Sequence, residues 1–349
     1  MKALVLTGKN EPMVVQELAA PVARVGEAIV QVRAAALNHR DVWIQKGQYA
    51  GLKYPLVPGA DGSGVVTAVG PGDAALGNAS GAGMTDGGAG DWIGKEVIIN
   101  PSINWGGSPT HQDPQNFKIL GLPDDGTFAE FVKVPLTSLA EKPGHLSFGE
   151  AAALPLAGLT AYRALFTRAA TRAGEKILIT GIGGGVALFA LQYAVAAGVR
   201  VYVTSGSDEK IGKAIALGAS GGINYTNKDW EKALQELAGA FDVIVDGASG
   251  DGMDALLNLA APGGRLAFYG ATRGNPSGLT ARRIFWKQLT ILGSTMGSPE
   301  DFHAMAGFVN RHAIRPVVDR VFPFEEGEAA LRHMDDARQF GKIVIRISE

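Results

Sequence analysis

The residues whose types and spacing point most directly to chemistry form a glycine-rich turn, Gly181-Ile182-Gly183-Gly184-Gly185. It sits between the apolar run Ile177-Leu178-Ile179 and an apolar helical pattern from Val186 to Ala197. Glycine at a strand-to-helix turn lets the backbone bend tightly. It also lets a phosphate approach the N–H groups at a helix start, where the helix dipole favours negative charge. A second β-rich run, Val199 to Val203, completes a strand, turn, helix, strand order. A dinucleotide-binding unit requires that context, and glycines in a plain loop lack it. Gly181, Gly184, Gly185 and Val186 are therefore the expected pyrophosphate contacts.

The tip of the second strand selects between dinucleotides. An NAD site usually places a carboxylate there, about 20 residues after the glycines, to accept the ribose 2′-hydroxyl. Here the strand runs into Thr204-Ser205-Gly206-Ser207. Ser205 and Ser207 leave room and donors for a 2′-phosphate, Lys210 adds positive charge, and Tyr225 in Ile223-Asn224-Tyr225 adds a hydroxyl, so NADP(H) is favoured. A second reading stays open: Ser207-Asp208-Glu209 is also an ordinary helix start with a Ser cap and first-turn acids. Asp208 folded back to the ribose would make the cofactor NAD(H).

These residues need elements to hold them. With 349 residues the chain has room for two domains with sizeable cores. Residues 1 to about 150 carry short β-like runs, among them Glu27 to Arg33, Gly64 to Val69, Glu96 to Asn100 and Phe128 to Val134. From Ser147 the pattern changes to helices at Phe148 to Ala153 and Leu159 to Ala169. Strands and helices then alternate through Phe241 to Asp246, Gly264 to Tyr269 and Leu289 to Leu292, which predicts a doubly wound parallel sheet. At its carboxyl edge Asp246-Gly247 and Tyr269, Gly270 and Ala271 are further cofactor candidates, although their glycines also make ordinary turns. Helices at Pro299 to Asn310 and Glu326 to Met334 and a strand at Lys342 to Ile347 form a tail expected to rejoin the first domain. Between Gly70 and Asp91, Pro71-Gly72-Asp73 and a Gly/Ala/Ser stretch without apolar period read as a mobile surface loop.

Composition narrows the function classes. Lys and Arg total 32 against 34 Asp and Glu, a formal charge of −2 with no basic run, so nucleic acid and anionic membrane are not expected partners. The opening residues lack a signal-peptide pattern and no apolar run reaches membrane-spanning length, so a cytoplasmic location is expected. With no cysteine, disulfides, thiol nucleophiles and thiolate metal sites are excluded.

With these pieces in order, the chain resembles the medium-chain dehydrogenase/reductase superfamily over nearly its whole length. The likeness rests on Ala36-Leu37-Asn38-His39-Arg40-Asp41, Pro58-Gly59-Ala60-Asp61-Gly62-Ser63-Gly64-Val65-Val66, Gly126-Thr127-Phe128-Ala129-Glu130-Phe131, Ala157-Gly158-Leu159-Thr160-Ala161-Tyr162, the Gly181 turn and Leu217-Gly218-Ala219. It is most similar to the zinc-lacking, quinone oxidoreductase-like branch. The resemblance implies an α/β fold: a GroES-like β-rich catalytic domain over 1–155, a Rossmann NADP-binding domain over 156–296, and a segment 297–349 completing the first. In zinc alcohol dehydrogenases of this superfamily three positions carry metal ligands; here Asn38, Ala60 and Leu156 stand at the matching places. The segment Asn100 to Gly121 resembles the lobe that carries four structural zinc cysteines in relatives, and all four are gone. The resemblance thus implies a chain without zinc.

A carbonyl reductase without a Lewis acid needs an acceptor that is already electrophilic, such as a quinone or an α,β-unsaturated carbonyl. By resemblance Asn38 lies near the nicotinamide, with Tyr49 as a donor to the developing oxyanion and Arg40 as positive charge. Arg40 stands where many zinc relatives have a proton-relaying Ser or Thr. Arg40 and Asp41 have an equally weighted structural reading, pairing with each other or with backbone, and Tyr49 and Tyr54 one of packing. Thr160 either caps a helix or contacts the nicotinamide, the resemblance favouring contact, and Ser294 and Thr295 match the place where the family's backbone touches the nicotinamide amide. Two rival functions remain: a zinc-independent alcohol or aldehyde oxidoreductase, and a non-catalytic NADPH-binding or redox-sensing protein. The family is commonly dimeric or tetrameric, and Arg282-Arg283-Ile284-Phe285-Trp286 is either an apolar contact for a homodimer or homotetramer, or core.

Overall fold

The structure, a computed structural model, describes residues 1–71 and 89–348. The stretch read above as a mobile loop lies largely outside the described residues. The chain divides into two compact units, Met1–Leu156 with Gly297–Glu349, and Ala157–Met296.

The first unit opens with the antiparallel pair β1 (Lys2–Val5) and β2 (Val14–Glu17), followed by β3 (Glu27–Ala36), helix α1 (His39–Gln45) and β4 (Asp61–Val69). After the undescribed stretch come β5 (Glu96–Ile99), the short pair β6 (Ser102–Ile103) and β7 (Lys118–Ile119), β8 (Phe131–Pro135) and β9 (Leu139–Glu141). Helix α2 (Phe148–Ala153) follows, started by a capping box in which Ser147 and Glu150 satisfy each other's backbone N–H. Alternating strand residues such as Val30, Val32, Val66, Val97, Ile99 and Val132 point into one core with Phe128.

Helix α3 (Pro155–Tyr162) contains the unit boundary. The sequence pattern predicted a helix from Leu159 to Ala169; it instead starts at Pro155, a residue preset for a first helical turn, and continues as a π-helical stretch Arg163–Arg168. There the Ala169 N–H reaches back to the Ala164 carbonyl, and the Leu165 carbonyl accepts both the backbone and hydroxyl of Thr171.

The second unit alternates β10 (Lys176–Ile179), α4 (Gly185–Ala196), β11 (Arg200–Ser205), α5 (Asp208–Ala216), β12 (Gly221–Asn224), α6 (Trp230–Ala238), β13 (Phe241–Asp246), α7 (Met253–Leu259), β14 (Ala260–Phe268), α8 (Ala281–Trp286) and β15 (Thr290–Gly293). The sheet is parallel throughout, in the order β12-β11-β10-β13-β14-β15. Its central strands are apolar without alternation, Ile177, Leu178 and Ile179 beside Val243, Ile244 and Val245, because helices cover both faces. The order reverses between β10 and β13, and ligands of such sheets bind at the carboxyl ends beside that reversal.

The tail returns to the first unit as α9 (Pro299–Arg311), β16 (Val318–Pro323), α10 (Gly327–Asp335) and β17 (Lys342–Arg346). Strand β17 pairs antiparallel with β3, extending one sheet to the order β16-β17-β3-β4-β5-β9, with β8 also on β3. That pairing brings Lys342 beside the end of β3.

Candidate functional site

Each unit presents its own constellation. In the first unit Asn38 caps α1 from an extended conformation, and its backbone N–H donates to Asp41 Oδ2 at 2.8 Å. Asp61 starts β4, its strand end held by Thr127, whose N–H bonds the Gly59 carbonyl and whose hydroxyl bonds the Asp61 carbonyl at 2.7 Å. Gly126 is glycine for a reason: a Cβ there would fall 2.0 Å from the Gly59 oxygen.

On this frame the Lys342 ammonium donates to Asp61 Oδ2 at 2.9 Å, Asn38 Oδ1 at 2.7 Å and the Leu37 carbonyl at 2.7 Å. Asn38 Nδ2 also donates to Asp61 Oδ2 at 2.9 Å, and the Leu156 N–H takes Asp61 Oδ1 at 2.7 Å. Asp61 is fully buried and Lys342 only 3% exposed, so a complete ion pair with saturated hydrogen bonding lies under the surface. The sequence pattern predicts only that Lys342 opens a strand; its burial comes from β17 pairing with β3.

Of the two pairings weighed for Arg40 and Asp41, the structure shows the one with backbone and no ion pair between them. The Arg40 guanidinium donates to the Leu120 carbonyl at 2.8 Å and lies 5.1 Å from the Tyr49 ring centroid, and its Nε has no hydrogen-bond partner among the described residues. Asp41 Oδ1 is likewise unpartnered there. Burial pushes the Asp41 carboxyl up to about 6, against the opposing pull of Arg40, the Asn38 N–H and Lys342, with Asp61 adding to the rise. Tyr49 is half-buried against the core, and Tyr54 donates to the Ile44 carbonyl at 2.8 Å.

Among the described residues no zinc donor set assembles at this place. Ala60 and Leu156 offer no side-chain donor, and both Asp61 oxygens are engaged by Leu156, Asn38 and Lys342. Among the described residues no group of three or more His, Cys, Asp or Glu could hold a metal. In the Asn100–Gly121 lobe, Trp105 is buried edge-on to Phe117 and donates to the Ser108 carbonyl. Asp113 Oδ1 accepts from the N–H groups of Gln115 and Asn116, fixing the turn and holding its own carboxyl below the usual range. His111 is exposed and bonds only the neighbouring Gln112 carbonyl among its described contacts.

In the second unit the glycine turn follows β10. Gly181 and Gly183 have φ of +63° and +122°, conformations that favour glycine, and the Ile182 N–H ties the turn to the Thr204 carbonyl at 2.8 Å. Gly184 caps α4, Gly185 and Val186 begin it, and a Cβ on Gly184 would meet nothing nearer than 4.0 Å. The turn is thus an open cradle at the N-terminus of a twelve-residue helix, a fit for a pyrophosphate. Lys210 lies against it, its Cδ 2.9 Å from where a Gly183 Cβ would stand.

At the tip of β11 the serines are spent locally. Ser205 Oγ donates to the Ile182 carbonyl and accepts from the Ser207 N–H, and Ser207 caps α5 by accepting from the Lys210 N–H. The cap reading weighed for Ser207 is the one the structure shows; Asp208 is exposed in the first turn of α5. Tyr225 follows β12 with its hydroxyl 3.1 Å from where a Gly206 Cβ would lie. Tyr269, Gly270 and Ala271 leave β14 beside β13: the Tyr269 N–H bonds the Asp246 carbonyl at 3.0 Å, and a Gly270 Cβ would fall 2.8 Å from the Gly247 oxygen. Burial, with Asp246 nearby, pushes the Tyr269 phenol far up. Ser294 and Thr295 follow β15, with Ser294 N–H on the Phe268 carbonyl and Ser294 Oγ buried without a partner among the described residues. Thr160 does not start a helix: it is buried inside α3, so the cap alternative falls.

Residues 24–144 match the family described as alcohol dehydrogenase GroES-like domain, and residues 185–311 that described as zinc-binding dehydrogenase. A zinc-type alcohol dehydrogenase-like protein, YogA of Leptosphaeria maculans, is 35% identical over 96% of this chain and 95% of its own length. The chain belongs to the medium-chain dehydrogenase/reductase superfamily. It is accordingly an oxidoreductase with the superfamily's GroES-like and Rossmann domains. Its superfamily relatives include an acryloyl-coenzyme A reductase of Metallosphaera sedula, 29% identical over 99% of both chains. Another is a quinone oxidoreductase of Mus musculus, 27% identical over 93% of this chain and 90% of that one. The crystal structure of an NAD-dependent alcohol dehydrogenase superposes with a TM-score of 0.88 at 37% identity, covering all of both chains. No helix among the described residues is long and apolar enough to cross a membrane.

Proposed function

We propose that this chain is a cytoplasmic, zinc-independent, NADPH-dependent oxidoreductase that delivers hydride to a quinone or an α,β-unsaturated carbonyl. The observation that carries the reading is the Lys342–Asp61–Asn38 network. At the place where zinc relatives need three donors, this chain has two aliphatic side chains and an ammonium already bound to the one carboxylate. Reduced nicotinamide, when bound, supplies the hydride. The residues of the chain then have to orient an acceptor and stabilise negative charge on its oxygen without a metal, which a conjugated acceptor makes feasible by spreading that charge. Lys342 and Asp61 fix the Asn38 amide, Asp41 fixes its backbone, and Arg40 with Tyr49 supplies charge and a phenolic donor from the same unit. Relatives named for acryloyl-CoA and quinone reduction support this acceptor class.

A zinc-independent alcohol or aldehyde oxidoreductase is the second reading, favoured by the alcohol dehydrogenase names and by the retained Asn100–Gly121 lobe. Oxidation of NADPH and NADH against quinones, enones and aldehydes, with metal content measured on the same sample, separates the two. The expected result is NADPH turnover with quinones or enones that survives exhaustive chelation. Turnover with aldehydes alone supports the second reading, and a stoichiometric zinc ion whose removal abolishes turnover overturns both. For the oligomer, α8 packs Ile284 against the core and leaves Phe285 and Trp286 65% and 75% exposed, and the exposed pair supports a contact with a second copy near the edge strand β15; sedimentation of Trp286→Glu against the parent chain tests it.

A further inference from the structure

The Tyr225 ring carries a partner that the sequence pattern gave no reason to place there. Arg273, in the loop after β14, lies over it with its guanidinium carbon 5.0 Å from the ring centroid and Nη2 3.5 Å from the hydroxyl. In the sheet order Tyr225 follows the edge strand β12, and Arg273 follows a strand four places away, about 19 Å at the ~4.8 Å strand spacing. An arginine side chain cannot span that distance alone. The loop therefore has to lean back over the sheet end, and its backbone shows how: the Arg273 N–H bonds the Ala248 carbonyl, and the Gly250 N–H bonds the Gly274 carbonyl, both at 2.9 Å. Gly250 has a φ of +62°, and a Cβ on it would fall 2.9 Å from the Arg273 carbonyl oxygen, so the two loops are pressed together.

The consequence is a bridge over the carboxyl ends of β10 and β11, ending where the Tyr225 hydroxyl touches Gly206. That tip is where a Rossmann sheet meets the ribose 2′ position, by a carboxylate in NAD sites and by an arginine in NADP sites. Ser205 and Ser207 are engaged in local hydrogen bonds, and Lys210 lies along the glycine turn. We infer that Arg273, stacked on Tyr225, is the residue that selects the 2′-phosphate of NADP(H). This inference rests on the dinucleotide reading above. A guanidinium over a phenol ring stays charged, presents a planar fork to phosphate oxygens and keeps its orientation through the ring. The carboxylates nearest in sequence, Asp208 and Glu209, are exposed in the first turn of α5, past the strand tip.

Titration calorimetry of the full chain with NADPH, NADH and 2′,5′-ADP tests it. For Arg273→Ala the expected result is at least a tenfold loss of NADPH and 2′,5′-ADP affinity, with NADH affinity changed less than about threefold. Arg273→Lys, keeping charge but not the fork, should recover part of the loss, and the salt dependence of NADPH binding should flatten in Arg273→Ala. Unchanged NADPH affinity in Arg273→Ala, or an equal loss for NADPH and NADH, overturns the assignment. Failure of the parent chain to bind either coenzyme overturns the dinucleotide reading itself, a distinguishable outcome.

Discussion

The two constellations differ in how they treat water. The glycine turn of the second unit is open and uncharged apart from Lys210 alongside it, and offers backbone N–H groups at a helix start. The Asn38–Asp61–Lys342 cluster of the first unit is closed: its ions are paired, its hydrogen bonds are made within the protein, and its parts come from positions 281 and 304 residues apart. An open cradle costs little until its ligand arrives. A buried ion pair costs desolvation at every moment and persists only if its geometry is complete. The glycine turn is built to receive, and the ion-pair cluster to hold a shape.

If that contrast is right, breaking the closed cluster has the largest effect. Lys342→Met leaves the Asp61 carboxylate buried without its cation, and unfolding in urea should show a loss of about 3–5 kcal/mol. The double variant Lys342→Met with Asp61→Leu removes both charges and should recover much of it. A loss below about 1 kcal/mol for the single variant would mean that water reaches the pair, and the contrast with the glycine turn would collapse.

The same contrast explains which parts of the molecule could be read from sequence. The cradle is local: strand, glycines and helix are contiguous from Lys176 to Ala196, so their periodicity and turn chemistry announce them together. Strand β12 is not legible in the sequence because Gly221 and Gly222 give half of its length no side chain to pattern. Helix α1 is hidden in the Asn38–Asp41 letters because Arg40, Asp41 and Gln45 stand among its buried residues, so no apolar stripe marks the covered face. The closed cluster depends on β17 pairing with β3, a long-range event that neither Asn38 nor Lys342 encodes alone. Arg273 is not legible for the same reason, since only the docking of two loops carries it back toward β12.

Acid should sharpen the comparison next. Asp41 is raised to about 6 by burial, so between about pH 4 and pH 6 the folded chain keeps a proton that the unfolded chain has released. Stability therefore falls as pH rises through that window, by an amount on the order of 2–3 kcal/mol, and levels off above it. Asp41→Asn cannot ionise and should lack this slope. Parallel denaturation curves for the parent and Asp41→Asn across the window would show instead that the carboxyl is solvated, and the cluster less closed than its contacts indicate.

The smallest effects on stability belong to the open cradle, where two neighbouring glycines separate backbone need from ligand need. Gly183 has a φ of +122° and its Cβ would press on a flexible Lys210 side chain, so Gly183→Ala should cost about 1–3 kcal/mol of stability through backbone strain. Gly184 has an ordinary φ of −77° and open space, so Gly184→Ala should cost under about 1 kcal/mol, the difference between the two residues as a helix cap. Yet both should weaken NADPH in calorimetry, because a methyl on either stands where a pyrophosphate approaches the helix start. Gly184 is the sharper probe, since loss of binding with little loss of stability cannot come from unfolding. If Gly184→Ala binds NADPH as the parent does, the phosphates do not come this close, and the turn serves only to reverse the chain between β10 and α4.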